Sequence, residues 1–338
     1  MNLLFTSAGR RDYLIEYFAA ALGGRGRVHV GNSEALCSAF TVGDAQVVTP
    51  PIHHEDYIPF LRDYCRRESI SAILPLFDID VPVLAMARAD FAEEGVRVIV
   101  PSLEAAEICN DKWRTVNFLR AAGIRTLRTY LSPESALASV AAGDIQFPMI
   151  VKPRWGMGSI GLIQAEDAEE LRLVYRLVTR RVFTSYLQAE SLSKPEAAVL
   201  IQELATGTEY GLDVLNNLSG EHVVTVAKRK LAMRSGETDI AITEDRQDLF
   251  ALGARLGALL RHPGHLDVDV FVDGTDLSVL ELNCRFGGGY PFTHAAGANF
   301  PAAILSWLSG IEPKPHWLRT RAGVLSVKAI FPKIFRYE

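Results

Sequence analysis

The chain has 338 residues, 49% of them hydrophobic, a length that favours two or three packed lobes with a cleft between them over a single core. Its 35 basic and 40 acidic side chains give a net charge of −5, which provides no overall attraction to nucleic acid or to an anionic membrane, so small-molecule partners are expected. The four cysteines form no CxxC pair, and no secretory segment or apolar run of about 20 residues is present, so we expect no disulfide framework, no zinc knuckle, no membrane span and a cytoplasmic location.

The first hundred residues alternate between short apolar runs and helical patterns. Strand-like runs lie at 2–6, 27–30, 70–76 and 96–100, and helical patterns at 12–22, 55–67 and 80–92. This alternation is typical of a parallel sheet with crossover helices, and it predicts one α/β domain at 1–105. Gly9, Arg10 and Arg11 follow the first strand, at the sheet edge where ligands tend to bind, so we predict a substrate contact there. A dinucleotide site is not indicated, because the GxGxxG pattern is absent.

The central part of the chain contains a glycine-rich loop between two predicted strands. A helix that begins at 111 closes at Gly123, strands at 145–152 and 160–164 flank the loop KPRWGMGSIG, and a helix follows at 167–188. A loop between two strands is neither a Walker loop nor a Rossmann turn, yet its glycines allow backbone amides to approach a phosphate. Lys152 immediately precedes the loop and can act as a point charge on a phosphate, the alternative being a solvated lysine.

The last third of the sequence is predicted to be rich in strands. They lie at 198–203, 209–215, 222–228, 267–272 and 277–283, with a helix at 245–262 and a strand and tail within 322–338. The polar stretches 191–196 and 232–244 are predicted to be mobile loops. In IQELATGTEYGLDV, a kink at Gly207 could expose backbone groups to an adenine edge, with Glu209 or Asp213 reaching ribose hydroxyls.

The stretch VLELNCRFGGG places Glu281, Asn283 and Arg285 on one face of a strand, since alternate side chains share a face. Asp269 lies in the preceding strand, and a hairpin through DGTD would bring its carboxylate near Glu281 or Asn283. Two carboxylates and an amide suit Mg²⁺, which commonly takes its remaining ligands from water and substrate phosphates. The stretch therefore predicts a metal and nucleotide site, with an ordinary solvated edge strand as the alternative.

Four motifs in order carry a resemblance to a known family. They are NDK at 110–112, MIVKPRWGMGSIG at 149–161, IQELATGTEYGLDV at 201–214, and LDVDVF with VLELNCRFGGGYPFTHAAG within 266–297. Together they resemble the ATP-grasp superfamily, in the branch like the large subunit of carbamoyl-phosphate synthase, over residues 1–312. The resemblance implies an ATP-grasp fold of mixed α/β and α+β class. An open parallel α/β pre-domain at 1–105 would precede two α+β subdomains, at 106–204 and 205–338, that enclose ATP.

The resemblance also implies roles for individual residues. The ATP contacts would be Lys112 and Lys152 on the phosphates, the loop residues Gly156, Gly158 and Ser159, the backbone of Gln202, Glu203 and Leu204 at the adenine, and Glu209 on the ribose. One or two Mg²⁺ ions, with Mn²⁺ as an alternative, would be held by Asp269, Glu281 and Asn283. The transferred phosphoryl group would be stabilised by Arg285, with anion-binding roles for Lys230 and Arg234. His294 follows the glycine turn and is expected either to face the acceptor or to be a helix-start histidine bonded to solvent. Cys284 replaces the proline common in the family and is expected to be a buried, non-catalytic side chain.

The implied reaction is an ATP-dependent ligation of a small-molecule carboxylate to an amine through an acyl phosphate, releasing ADP and phosphate. One alternative is a carbamoyl-phosphate-synthase-like unit that phosphorylates bicarbonate or carbamate, and another is a regulatory protein that binds a nucleotide without turnover. A homodimer is also considered, because the aromatic positions of the terminal FPKIFRYE fit either a dimer contact or packing onto the first domain.

Overall fold

A computed structural model describes residues 1–158 and 161–335 and contains three sheets. The first sheet has five parallel strands in the order β3-β2-β1-β4-β5, as the alternating pattern predicted. Its elements are β1 Asn2–Thr6, α1 Asp12–Leu22, β2 Val28–Asn32, β3 Ala45–Val48, α2 Tyr57–Arg67, β4 Ile70–Pro75, α3 Asp80–Met86, α4 Arg88–Glu93 and β5 Arg97–Val98. The carboxyl ends of β1 and β4 lie side by side, so the loops that follow them, including Gly9–Arg11, share one edge of the sheet.

The second sheet has four antiparallel strands in the order β6-β9-β7-β8. Its part of the chain contains α5 Leu103–Asn110, α6 Lys112–Ala121, β6 Thr129–Tyr130, α7 Pro133–Ala141, β7 Met149–Pro153, β8 Ile163–Ala165, α8 Ala168–Val182, α9 Gln188–Ser191 and β9 Val199–Glu203. The side chain of Asp111 accepts hydrogen bonds from the amides of Trp113 and Arg114 and so begins α6. Lys112 is therefore fixed as the first residue of a helix.

The third sheet has six strands in the order β14-β13-β10-β11-β12-β15 and is antiparallel throughout. Its elements are β10 Thr208–Asn216, β11 His222–Arg234, β12 Glu237–Glu244, α10 Gln247–Leu260, β13 Gly264–Asp273, β14 Asp276–Asn283, α11 Tyr290–Ala295, α12 Phe300–Leu308 and β15 Leu325–Val327. The predicted strand near the carboxyl terminus is thus confirmed as β15, the last strand of this sheet.

The prediction of a mobile loop at 232–244 is wrong, because these residues form the end of β11 and the whole of β12, which pair with each other. The two strands turn at Ser235 and Gly236, whose φ angles of 49° and 76° are those of a tight hairpin. Thr238 and Thr243 are buried within β12. Threonine is a polar residue, so the inward-facing positions of β12 did not show the alternation of apolar and polar residues that predicts a strand.

The predicted loop at 191–196 likewise contains the end of α9 and a short 3-10 turn at Pro195–Ala197.

The sheets are joined by shared apolar clusters. One cluster contains Leu4 of β1 together with Leu212 of β10 and Leu282 of β14, so the first and third sheets pack into a common core. The second sheet has its own cluster around Met149, Val151 and Ile201. The domain boundaries near residues 105 and 204 stay predictions.

Within the described residues, no helix combines the length and apolar character that crossing a bilayer requires. The chain from 328 to 335 forms no regular element, and Ile330, Phe331 and Ile334 are exposed there. Lys333 Nζ nevertheless lies 3.0 Å from Asp12 Oδ2 of α1, which ties this tail to the first domain. Residues 336–338 lie outside the described chain. The homodimer, which was considered because of the aromatic residues near this terminus, stays a prediction.

Candidate functional site

A cavity of about 700 Å³ is lined by residues of all three sheets and their adjoining loops. Thirteen of the fifteen predicted site residues line it: Lys112, Lys152, Gly156, Gly158, Gln202, Glu203, Leu204, Glu209, Lys230, Asp269, Glu281, Asn283 and Arg285. Arg10 and Arg11 line the same cavity. Ser159 lies outside the described residues. The residues predicted from the sequence thus lie around one cavity, while the role of each residue stays a prediction.

The hairpin of β13 and β14 supplies the acidic floor of the cavity. Its register pairs Asp269 with Glu281 and Asp267 with Asn283, which confirms the predicted hairpin. Asp267 was missed by the sequence analysis, although its spacing of two from Asp269 places both on one face. A Cβ atom at Gly287 would lie 2.2 Å from Asp267 Cγ, so this position must be glycine for the Asp267 side chain to occupy its place.

Two lysines neutralise part of this acidic floor. Lys230 Nζ donates to Glu209 Oε1 and to Asp269 Oδ1, both at 2.6 Å, and Lys112 Nζ lies 3.3 Å from Glu281 Oε1. Burial raises the pKa of Asp269, and the neighbouring carboxylates Asp267 and Glu281 raise it further, against the opposing effect of Lys230. The floor therefore carries more negative charge than its lysines offset, which favours a bound cation.

The donor set of the floor fits Mg²⁺ better than a transition metal. Glu281, Asn283 and Asp269 would offer carboxylate and amide oxygens, which are hard ligands. Among the described residues, no group of three or more His, Cys, Asp and Glu side chains is arranged to hold a metal ion. A sparse oxygen set of this kind requires further ligands from water or phosphate, which is the usual coordination of Mg²⁺.

Lys152 lies on the opposite wall, at the end of β7. Its Nζ donates to Gln202 Oε1 at 2.8 Å, and Gln202 Nε2 donates to Thr129 Oγ1 at 2.8 Å, so the glutamine orients the lysine. Burial lowers the pKa of Lys152 to about 8, although Glu281 acts in the opposite direction. This side-chain arrangement gives Gln202 a function beyond its predicted backbone contact with adenine.

We expect nucleotide affinity to fall as the pH rises above about 8, because a neutral Lys152 offers no charge to a phosphate. The dissociation constant of ATP should increase by up to about tenfold per pH unit between about pH 8 and pH 9.5, since binding then requires protonation of the lysine. Replacement Lys152→Met should weaken ATP binding about tenfold or more at neutral pH and should reduce the dependence of that affinity on pH.

Isothermal titration calorimetry measures both effects. Lys194→Met, at an exposed position, is the matched control. A wild-type affinity that is constant over this range contradicts the prediction.

The glycine-rich loop is fastened to the start of α6. Arg154 donates to both carboxylate oxygens of Asp111, from Nε at 2.7 Å and from Nη2 at 2.6 Å, and Lys112 Nζ donates to the carbonyl of Gly156. Gly156 and Gly158 have φ angles of 96° and 67°, a region that glycine adopts without strain. The residue that caps the helix therefore also positions the loop above the predicted phosphate site.

Arg285 is held by an acid of the first domain that the sequence analysis missed. Arg285 Nη2 donates to Asp78 Oδ2 at 2.9 Å, and its Nε lies 2.9 Å from Asp78 Oδ1. Asp267 Oδ2 lies 3.4 Å from Arg285 Nη1. Asp78 follows β4 at the carboxyl edge of the parallel sheet, a location that could have identified it. The guanidinium is thus fixed between the first and third sheets beside the acidic floor.

Two of the residues considered in the sequence analysis lie elsewhere in the described structure. Arg234 is outside the cavity lining and pairs with Asp239 at 2.8 Å. The ring of His294 stacks on Tyr17 of α1 at 3.8 Å between centroids, outside the cavity lining as well. Cys284 is buried, as predicted, with its Sγ 3.1 Å from that of Cys109.

A buried charge network supports the cavity from behind. Asp213 of β10 is fully buried and accepts hydrogen bonds from Lys228 Nζ and Thr293 Oγ1, and His265 Nε2 lies 2.9 Å from its Oδ1. Burial would raise the pKa of Asp213, but the charges of Lys228 and His265 outweigh it and hold the pKa well below the usual range. Asp213 therefore stays ionised inside the third sheet, and its predicted alternative as a ribose contact is wrong.

The chain is similar to known proteins in sequence and in fold. A family model described as PylC-like, N-terminal domain matches residues 3–99, and a model described as ATP-grasp in the biosynthetic pathway with Ter operon matches residues 195–330. The biotin carboxylase domain of 2-oxoglutarate carboxylase from Hydrogenobacter thermophilus, solved with MgADP and bicarbonate, superimposes with a TM-score of 0.74 at 16% identity, covering 96% of this chain and 73% of that one. An L-amino acid ligase from Bacillus licheniformis superimposes with a TM-score of 0.69 at 18% identity, covering 93% and 78%.

The chain therefore has the ATP-grasp fold, and the resemblance to the ATP-grasp superfamily is confirmed. Within that superfamily it resembles the carbamoyl phosphate synthase large chain. The protein of that name from Pseudothermotoga lettingae is 22% identical over 316 residues, which cover 91% of this chain. The match covers only 26% of that relative, so this chain spans about a quarter of its length.

Proposed function

We propose that the protein is an ATP-dependent carboxylate-amine ligase that works through an acyl phosphate. The observation that supports this most directly is the acidic floor of Asp269, Glu281 and Asn283, which faces Lys152 and Lys112 in one cavity beside Arg285. The floor would hold a cation, the lysines would bind phosphates, and the arginine lies next to both. This arrangement suits phosphoryl transfer, which depends on position and charge more than on a side-chain nucleophile.

In the proposed reaction the γ-phosphoryl group passes from ATP to a carboxylate oxygen, and ADP leaves. The nitrogen of the neutral amine, formed from any ammonium group by loss of one proton to solvent, then bonds to the acyl carbon while the acyl carbon–oxygen bond to phosphate breaks. One further proton leaves the nitrogen as the amide forms. Lys112 and Lys152 would bind the phosphates, Glu209 the ribose, and Arg285 would stabilise the transferred group. Mg²⁺, or Mn²⁺ in its place, would be held by Glu281, Asn283 and Asp269 and would neutralise charge on the phosphate oxygens.

The glycine-rich loop is well placed to exclude water in this reaction. An acyl phosphate is hydrolysed when water reaches it, so its site must close before transfer. Gly156 and Gly158 line the cavity, and the loop is anchored through Arg154 and Asp111. A loop fastened at its base, with glycines over the phosphate site, suits such closure, with Ser159 as a proposed phosphate contact.

The function is tested by measuring ADP and phosphate release with ATP and Mg²⁺. The purified protein is assayed alone and with pairs of small carboxylates and amines, and each pair is repeated with either member omitted. The proposal expects ADP release that requires both members, with an amide product detected by mass spectrometry. ADP release with bicarbonate alone would support the carbamoyl-phosphate-like alternative. ATP binding without ADP release under all conditions would support a regulatory nucleotide-binding protein.

A further inference from the structure

We infer that the amine substrate is a zwitterionic α-amino acid, with its carboxylate on Arg11 and its ammonium group facing Asp267. This inference rests on the proposed function and names the class of its second substrate. It is based on the part of the cavity lining that the predicted nucleotide contacts leave unused, which contains the loop Ser7–Arg11 with Tyr13, together with Asp267, Gly288 and Gly289.

Arg11 provides a positive charge that the described protein leaves without a carboxylate partner. Its Nη1 donates to the carbonyl oxygen of Phe286, and no carboxylate of residues 1–158 or 161–335 pairs with it within 4.0 Å. Burial and the positive charge of Arg285 both lower the pKa of Arg11, which means that two guanidinium groups lie near each other there. A partly buried guanidinium in this position is best compensated by an anion, and a carboxylate fits its planar fork.

The acids nearest to Arg11, Asp78 and Glu237, already have closer cationic partners. Lys328 Nζ lies 3.2 Å from Glu237 Oε2, Lys228 pairs with Asp213, and Arg285 is held by Asp78. Arg10 lines the cavity beside Arg11 and is exposed, so it adds positive charge at the mouth. Arg11, which is less exposed than Arg10, is therefore the cation inside this end of the cavity that can receive an incoming anion.

Asp267 provides the matching negative charge. Its one described ion-pair contact is the 3.4 Å approach of Arg285 Nη1, and Arg285 is held more closely by Asp78. The carbonyl oxygen of Phe286 places these charges together, because it accepts hydrogen bonds from Arg11 Nη1 and from Arg285 Nη1, which lies 3.4 Å from Asp267 Oδ2. A cation and an anion with incomplete pairing, at one end of a cavity, match the two charges of an amino acid.

The position of Asp267 also suits the proposed reaction. Asp267 lies opposite Asn283 in the hairpin, next to the pair formed by Asp269 and Glu281. An ammonium group at Asp267 would therefore lie beside the predicted phosphoryl-transfer site, with the carboxylate directed away toward Arg11. A monoamine without a carboxylate would leave Arg11 uncompensated and would bind more weakly.

The experiment measures ADP release with each of the twenty standard α-amino acids as the amine, against a panel of carboxylates. Every active amino acid is then compared with its carboxamide and with its decarboxylated amine. In parallel, calorimetry with a non-hydrolysable ATP analogue and Mg²⁺ measures amino-acid binding, so that turnover is not required. The variants are Arg11→Gln, Arg11→Lys as the conservative change, and Arg176→Gln as a matched control at an exposed position on α8.

The inference expects the amino acid to be preferred over its carboxamide by about 10- to 100-fold in kcat/KM. Arg11→Gln should raise KM for the amino acid by a similar factor, leave KM for ATP unchanged and remove the discrimination against the carboxamide. Arg11→Lys should recover part of the discrimination against the carboxamide. An unchanged ATP affinity shows that the variants are folded.

Two results would overturn the inference. One is equal use of the carboxamide and the decarboxylated amine by the wild-type protein, which would leave the ligase function intact and refute only the amino-acid assignment. The other is the absence of amino-acid binding in calorimetry while ATP binds. Failure of the ligase function itself looks different, since no carboxylate and amine pair would then give an amide product, whether or not an amino acid binds.

Discussion

Replacing Glu281 by glutamine is expected to lower the rate of ADP release about a thousandfold. The change removes one charged oxygen ligand from the acidic floor while keeping the size of the side chain. A metal ion contributes several kcal/mol to stabilising transferred phosphoryl charge, and about 4 kcal/mol corresponds to a factor of about a thousand. ATP affinity should change by less than about tenfold, because Lys112, Lys152 and the adenine contacts remain.

The Glu281→Gln measurement requires steady-state kinetics with an active substrate pair and calorimetry with ATP. Glu169→Gln, at an exposed position on α8, is the same chemical change away from the cavity and should leave both quantities unchanged. If Glu281→Gln retains wild-type turnover, the acidic floor does not bind the catalytic cation, and the proposed mechanism is refuted.

Replacing Asp213 by asparagine is expected to lower the free energy of unfolding by about 3–5 kcal/mol. The variant leaves Lys228 and His265 buried without their counter-charge, and the loss of one partner of a buried ion pair is strongly destabilising. Urea denaturation followed by circular dichroism measures the change. Asp90→Asn, at an exposed position on α4, should differ from the wild type by less than about 0.5 kcal/mol.

The pH dependence of this effect has a defined sign. The pKa of Asp213 is lower in the folded protein than the usual value of about 3.9 in an unfolded chain. The stabilisation is therefore fully present above about pH 4 and is lost as the pH falls toward the folded-state pKa. The difference between wild type and Asp213→Asn should accordingly shrink below about pH 4. A difference that stays constant into strong acid would mean that the network does not stabilise the fold through the charge of Asp213.

The sequence analysis selected residues that line one cavity both on strands and on the glycine-rich loop. Glu281, Asn283 and Asp269 were found because strand periodicity fixes which side chains share a face, and hairpin register then follows from a short turn. Lys152 was found for the same reason, as the end of a strand next to a glycine-rich loop. The third sheet was correct except for the end of β11 and for β12, where buried threonines obscured the alternation.

One of the acids that the sequence analysis missed, Asp78, makes a long-range contact. Asp78 is 207 positions from Arg285 along the chain, and nothing in either local pattern indicates that the two side chains meet. Asp213 was considered for a ribose contact because it and Glu209 lie at alternating positions of the strand that follows the kink at Gly207, whereas its burial beside Lys228 depends on the packing of β10 against β11. Such pairings arise from the assembly of three sheets, which single-sequence periodicity does not specify.

The ion pair between Asp78 and Arg285 has a consequence for protein engineering. One partner belongs to the segment that matches the PylC-like model, and the other to the segment that matches the ATP-grasp model. A chimaera that exchanged the first hundred residues for those of a relative would therefore need an acidic side chain at the place of Asp78. Without it, Arg285 would lose the carboxylate that holds its guanidinium, so the first segment and the segment that carries Arg285 would have to be exchanged together.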